Sequence, residues 1–294
     1  MARIESKGVK TFRVFNVIIL SLVGASCLFP FLHILALSFS DNVATMSGEV
    51  TFLPVNFTTD AYQYVLEQSA FWRAFLITIE RVLLGGGLGL LLTILLAYPL
   101  SKPSSRFRFR SAYVWFFFIT MLFGGGLVPT YVLISGLQLR NTIWALVLPG
   151  AVNVYNILIM LNFYRQLPDE LEEAAFMDGA GHFRTLLQVY IPCSIPAIAT
   201  IALFTIVAHW NAWFDGLIYM SKAENYPLQS YLQTIVTKLD FQNMSSTELQ
   251  RLNALNQRSI KSSQMIVAMV PILVLYPFLQ KYFVTGMTLG SVKG

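Results

Sequence analysis

Between two long apolar runs lies a short charged island, Glu172, Glu173, Ala174, Ala175, Phe176, Met177, Asp178, Gly179, Ala180 and Gly181, closing near Pro192. Leu167, Pro168, Asp169 and Glu170 read as a helix start, because proline suits the first turn and acids there complement the positive end of the helix dipole. A short amphipathic helix is expected from Pro168 to Met177. The stretch from Asp178 to Gly181 breaks it, since glycine tolerates left-handed backbone and lets another backbone come close. A second short helix is expected from His182 to about Tyr190. Two short helices joined by a glycine turn make a compact knob shaped to sit in a partner's groove, which is the chemistry of a mechanical connector rather than of bond making.

A second set of polar residues lies inside apolar runs: Asn153, Tyr155 and Asn156 in one, and His209, Trp210, Asn211 and Trp213 in another. Amides and indoles together suit a sugar, with hydroxyls on the amides and pyranose faces on the rings. The same residue types also bond neighbouring membrane helices or anchor at the interface, so both roles stand open. No catalytic or metal site emerges. The sequence lacks a His-Glu-x-x-His helix, a Gly-x-Ser-x-Gly elbow and a Gly-x-x-x-x-Gly-Lys-Ser/Thr phosphate loop. His33, His182 and His209 are scattered, and Cys27 and Cys193 form neither a disulfide framework nor a metal cluster.

The elements that position these residues are membrane helices. With 55% hydrophobic and 12% charged residues and a mean hydropathy of +0.61, the chain is too apolar for water. A hydrocarbon core requires about 20 apolar residues per helix, and six runs qualify: Phe12 to Ser38, Ala74 to Leu100, Ala112 to Ile134, Ile143 to Tyr164, Cys193 to Tyr219 and Met265 to Phe283. The fold class is therefore all-α and polytopic. The first run is too long for a signal peptide and shows no clear cleavage site, so it reads as a retained helix. Lysine and arginine at the N-terminus and at Lys102, Arg106, Arg108 and Arg110 put those segments in the cytoplasm. The cytoplasmic N-terminus is residues 1–11, the transmembrane domain residues 12–284 and the cytoplasmic tail residues 285–294. The charged island, within a loop spanning 165–192, also faces the cytoplasm, and residues 40–73 and 220–262 face outward. The net charge of +5 is mostly accounted for by cytoplasmic loops and gives no support to nucleic-acid binding.

Gly85 and Gly89, with Gly86 and Gly87 alongside, give the second run a close-contact face. Gly124 to Gly126 and prolines 129, 149, 196, 271 and 277 mark places where helices kink or break, tolerated only against protein or a water-lined cavity. An ion-coupled secondary transporter would place carboxylates inside its spans, and Glu80, near the entrance of the second run, is an obvious acid there.

Glu173, Ala174, Ala175, three residues, Gly179, nine residues, Val189, one residue, Ile191 and Pro192 resemble the EAA loop of ABC importer permeases. That pattern runs Glu-Ala-Ala, three residues, Gly, nine residues, Ile, one residue, Leu-Pro, and only the two aliphatic positions are conservatively changed. The fuller run from Glu172 to Gly181, with Pro192 and Pro196 beyond it, resembles the permeases of maltose-type carbohydrate importers. The terminal stretch Tyr282 to Gly294 is similar to the tail of the smaller maltose-type permease subunit. Leu127 to Tyr131, Asn141 to Leu146 and His209 to Phe214 resemble a subgroup associated with complex-polysaccharide fragments.

The resemblance implies a permease of an ATP-driven, binding-protein-dependent oligosaccharide importer working by alternating access in the bacterial cytoplasmic (inner) membrane. Both termini would be cytoplasmic. It implies a coupling helix at Glu172, Glu173, Ala174, Ala175, Asp178, Gly179 and Ala180: Glu173 making the charged ATPase contact, Ala174 and Ala175 permitting close packing, Gly179 forming the bend. It implies a tail contact with the ATPase pair through Gly286, Gly290 and Lys293. The implied partners are a second, different permease subunit, two ATP-binding subunits that carry ATP and Mg, a soluble substrate-binding protein docked on the outer loops, the oligosaccharide and membrane lipids. No cofactor is expected on this chain. Lys222, Lys238, Arg251, Arg258 and Lys261 in the second outer segment suit either an acidic (uronate) oligosaccharide or an acidic binding protein. Another solute class is the alternative.

Overall fold

The computed structural model describes residues 7–237 and 257–291. They form helices α1 (Lys7–Ser38), α2 (Asn42–Ser47), α3 (Asp60–Glu67), α4 (Ser69–Ser101), α5 (Arg110–Leu122), α6 (Leu127–Gly136), α7 (Trp144–Val147), α8 (Val154–Tyr164), α9 (Asp169–Met177), α10 (His182–Thr185), α11 (Ile191–Cys193), α12 (Ile195–Asn211), α13 (Phe214–Tyr219), α14 (Leu228–Thr237) and α15 (Gln257–Ser291). A π-helical stretch, Leu186–Tyr190, joins α10 to α11. The sole extended pairing among the described residues is an antiparallel bridge between Ser40 and Phe57. In hydrocarbon every backbone polar group must find its partner within the protein, and a helix does this within one segment.

Three helices among the described residues are long and apolar enough to cross a membrane, or up to six if each bent pair is one span. At about 1.5 Å per residue, α4 runs roughly 50 Å and so extends past a hydrocarbon core. The runs expected as single spans at Ala112 to Ile134 and Ile143 to Tyr164 are instead broken. α5 and α6 meet at 109°, and Trp144–Gly150 meets α8 at 48°. The first break follows from Gly124 to Gly126: Gly126 has φ +82°, a conformation open chiefly to glycine. The second lies beside Pro149, and Asn153 caps α8, its Oδ1 accepting from the Asn156 amide at 3.2 Å.

The run expected from Cys193 to Tyr219 is also divided. Residues His182–Cys193 and α12 meet at 83°, and α12 stops at Asn211. The Ala212 carbonyl accepts from the Arg81 side chain, the backbone there is extended, and α13 begins afresh. The final helix outruns Met265 to Phe283 at both ends, because hydropathy marks what lies in hydrocarbon and not where helical hydrogen bonding stops. Gly286 and Gly290 therefore lie within α15, and Lys293 lies outside the described residues.

The chain divides into two compact units, one within Met1–Ser69 and Thr234–Val270, the other within Ala70–Gln233 and Pro271–Gly294. In the first, Ala36, Ala44 and Val50 form a small core. The Thr45 hydroxyl meets that of Ser259 at 3.2 Å, and Ser263 donates to the Ala61 carbonyl at 3.4 Å, tying the start of α15 to α2 and α3. In the second, α4, α8 and α12 pack around Ala97, Ile157, Met160 and Ile201.

Gly216 on α13 is a close-approach position: a Cβ there would lie 2.1 Å from Ser230 Oγ and 2.9 Å from Pro227 Cδ. Gly216→Ala is expected to destabilise the protein by about 1–3 kcal/mol through overpacking. Ser230→Ala in the same chain should relieve part of the loss, and melting curves of the two variants check it.

Candidate functional site

The charged island folds into α9 and α10 as a helix, a turn and a helix. Pro168 precedes α9, and Asp169, Glu170 and Glu172 fill its first turn. At its end the Gly179 amide bonds the Phe176 carbonyl at 3.0 Å and the Ala180 amide bonds the Ala175 carbonyl at 2.9 Å. This paired closure is the Schellman motif, and it needs the left-handed Gly179, φ +80°.

The two glutamates point different ways. Glu172 is 1% exposed. Its Oε1 meets Lys102 Nζ at 2.7 Å and its Oε2 meets Arg106 Nη1 at 2.8 Å. Tyr98 and Tyr190 hydroxyls donate to the same carboxylate at 3.3 and 3.4 Å. Lys102 Nζ also lies 4.0 and 4.1 Å from the centres of those two rings. Burial pushes the Lys102 ammonium below the ordinary lysine range, while the Glu172 hydrogen bond and charge hold it up. Glu172 thus bolts the knob to the Ser101 end of α4 and the loop after it.

Glu173, by contrast, has a 61% exposed side chain, touching only Arg106 Nη2 at 3.2 Å among the ion pairs described. Ala174, Met177, Asp178 and Gly179 are exposed beside it, and Ala175 and Ala180 are half-buried. The outer surface of the knob is therefore small, partly apolar and acidic.

Away from the knob, a cavity of about 570 Å³ opens between α4, α7, α8, α12 and α13. Asn153, Tyr155, Asn156 and His209 line it, as do Arg81, Thr205 and Asp215. Asn156 Nδ2 donates to Thr205 Oγ1 at 3.3 Å. The other three candidates lie off the lining. Trp210 is buried edge-on against Phe75, Trp213 is edge-on to Phe214, and Asn211 is exposed.

Among the cavity residues that the sequence alone did not single out is Arg81. It is 3% exposed within α4, and its guanidinium forks onto Asp215: Nη1 donates to Oδ1 at 3.1 Å and Nη2 to Oδ2. Nη1 also donates to the Ala212 carbonyl at 3.3 Å, and Nε to His209 Nδ1 at 3.4 Å. The signal was present, since an ionisable residue inside an apolar run is by default functional.

The family described as binding-protein-dependent transport system inner membrane component matches residues 81–289. This chain belongs to that family. It is an ABC transporter permease, a transport subunit of the inner membrane rather than a catalytic one, and the secondary-transporter reading falls away. Protein LplC of Bacillus subtilis strain 168 is 38% identical over 99% of this chain and 97% of its own. The polygalacturonan/rhamnogalacturonan transport system permease protein YtcP of the same organism is 33% identical over 96% and 99%. In the crystal structure of a bacterial ABC transporter involved in the import of the acidic polysaccharide alginate, one chain superimposes with a TM-score of 0.87 at 30% identity, covering 96% of this permease and all of that chain.

Proposed function

We propose that this permease imports oligosaccharides, acidic ones built of uronates in particular, by alternating access. A different second permease, two ATP-binding subunits carrying ATP and Mg, and a soluble binding protein that docks on the outer loops complete the importer. Two of its relatives are named for polygalacturonan/rhamnogalacturonan and for alginate transport, which supports the substrate class. Both termini face the cytoplasm in this reading, following the lysine and arginine of the N-terminus and the 102–110 loop.

The observation that carries the mechanism is the division of labour on α9: Glu172 is buried and paired inward while Glu173 is exposed outward. A lever needs one end fixed to the membrane helices and another free to seat in the ATPase. Glu173 makes the charged ATPase contact, Ala174 and Ala175 let the partner surface come close, and Asp178, Gly179 and Ala180 shape the turn. The end of α15, with Gly286 and Gly290, and Lys293 beyond it reach the ATPase pair. Asn153, Tyr155, Asn156 and His209 line the sugar path, with Trp210, Asn211 and Trp213 beside it.

The test is ATPase activity of the co-expressed assembly in lipid, stimulated by binding protein loaded with acidic or neutral oligosaccharides. Wild type is expected to respond to sugar, and Glu173→Ala to lose that response while still assembling. Failure of the permease to associate with any ATPase subunit would sink the proposal.

A further inference from the structure

The Arg81–Asp215 pair is an unusual thing to find facing a sugar-sized cavity. An ion pair taken out of water is weak grounds for stability, because desolvation offsets much of the attraction and apolar packing fastens two helices as well. Its two ends are held differently. Arg81 sits well inside the 33-residue α4. Asp215 is the second residue of the six-residue α13, follows an extended break at Ala212, and has a side chain 29% exposed. The carboxylate is thus the end of the pair able to withdraw, and the guanidinium is the fixed end.

What a guanidinium fork selects is a planar carboxylate accepting two parallel hydrogen bonds. A uronate carries that group on its ring, and a neutral hexose does not. The surroundings match the rest of such a sugar: Asn153, Asn156 and Thr205 offer amide and hydroxyl groups along the same wall.

We propose that Arg81 is a specificity-determining residue for acidic oligosaccharides, and that a uronate carboxylate entering the cavity takes the place of Asp215 on its guanidinium. Asp215 is the resident counter-ion, neutralising Arg81 while the cavity is empty, and its partly exposed side chain swings aside when the cavity fills. No covalent step is involved; one carboxylate exchanges for another. This rests on the oligosaccharide reading above and deepens it, since it assigns the charge preference to one side chain.

The experiment is equilibrium titration of the whole importer in nanodiscs, without binding protein, using a galacturonate oligosaccharide and its carboxyl-reduced neutral counterpart. Wild type is expected to bind the acidic sugar at least about tenfold more tightly, the scale of a charge-assisted hydrogen-bonded contact. In the double variant R81Q/D215N, which keeps shape and removes both charges, that gap should close. In D215N alone, where Arg81 has lost its resident carboxylate, the gap should widen, and this arm decides the matter if the double variant does not assemble. A gap that persists in R81Q/D215N, one that does not widen in D215N, or no gap in wild type would overturn the proposal. If sugar-loaded binding protein still stimulates ATPase activity in that event, the oligosaccharide reading survives; if no sugar binds or stimulates the wild type, both fall.

Discussion

Glu172→Ala is expected to unseat the coupling helix, while Glu173→Ala, one residue away, leaves the fold intact. Removing the buried carboxylate strands Lys102, whose side chain is 8% exposed, and leaves the half-exposed Arg106 to its contact with Glu173. Breaking a buried pair by deleting one partner costs about 3–5 kcal/mol, because the remaining charge is left without compensation. The exposed Glu173–Arg106 pair is worth about 1 kcal/mol or less. Melting curves of the detergent-purified importer and proteolysis of the 165–192 loop separate the two variants. Equal melting points would show that Glu172 does not anchor the knob.

The same variant carries a pH signature. The Lys102 ammonium is already held below its ordinary range by burial, and Glu172 opposes that shift. Without the carboxylate the depression deepens. Between the depressed folded value and the ordinary one, the unfolded chain binds the proton more tightly, so stability rises with pH there. The penalty of Glu172→Ala should therefore shrink as pH climbs toward the ordinary lysine range, and neutralising the partner in Glu172→Ala/Lys102→Met should recover part of it at neutral pH.

Much of this fold was legible because lipid leaves a chain few options: apolar runs of the right length become helices. The knob was legible too, since proline, acids and glycine mark helix ends by local backbone physics. What hydropathy does not carry is direction. The 109° turn between α5 and α6 lies inside a continuous apolar run and is announced only by Gly124 to Gly126. The inward and outward glutamates are neighbours in sequence, and what distinguishes them is Lys102 and Arg106, about seventy residues earlier, which sequence spacing does not bring together. Arg81 needs Asp215 to be understood, and that pairing spans the whole cavity-forming part of the chain.

The glycine run on α4 yields the other large effect, because its three members meet different surroundings. A Cβ on Gly85 would lie 2.5 Å from His209 Cε1 and 2.7 Å from Nε2, whereas one on Gly86 or Gly87 meets nothing within 4 Å. The His209 ring has little room to swing away, being buried and bonded to Arg81 Nε. Gly85→Ala is therefore expected to push α4 from α12 and cost about 1–3 kcal/mol of overpacking, with loss of transport. Gly86→Ala and Gly87→Ala should be neutral or stabilising by about 0.5–1 kcal/mol, since alanine is the better helix former. The decisive comparison is the double variant Gly85→Ala/His209→Ala. If the clash is with the imidazole, adding Gly85→Ala to His209→Ala should cost nearly nothing, so that the two changes are non-additive by about 1 kcal/mol or more. Equal losses at Gly85 and Gly86, or additive losses in the double variant, would mean that the close approach of α12 to α4 does not depend on the missing Cβ, and that the wall of the cavity carrying Arg81 and His209 is held by something else.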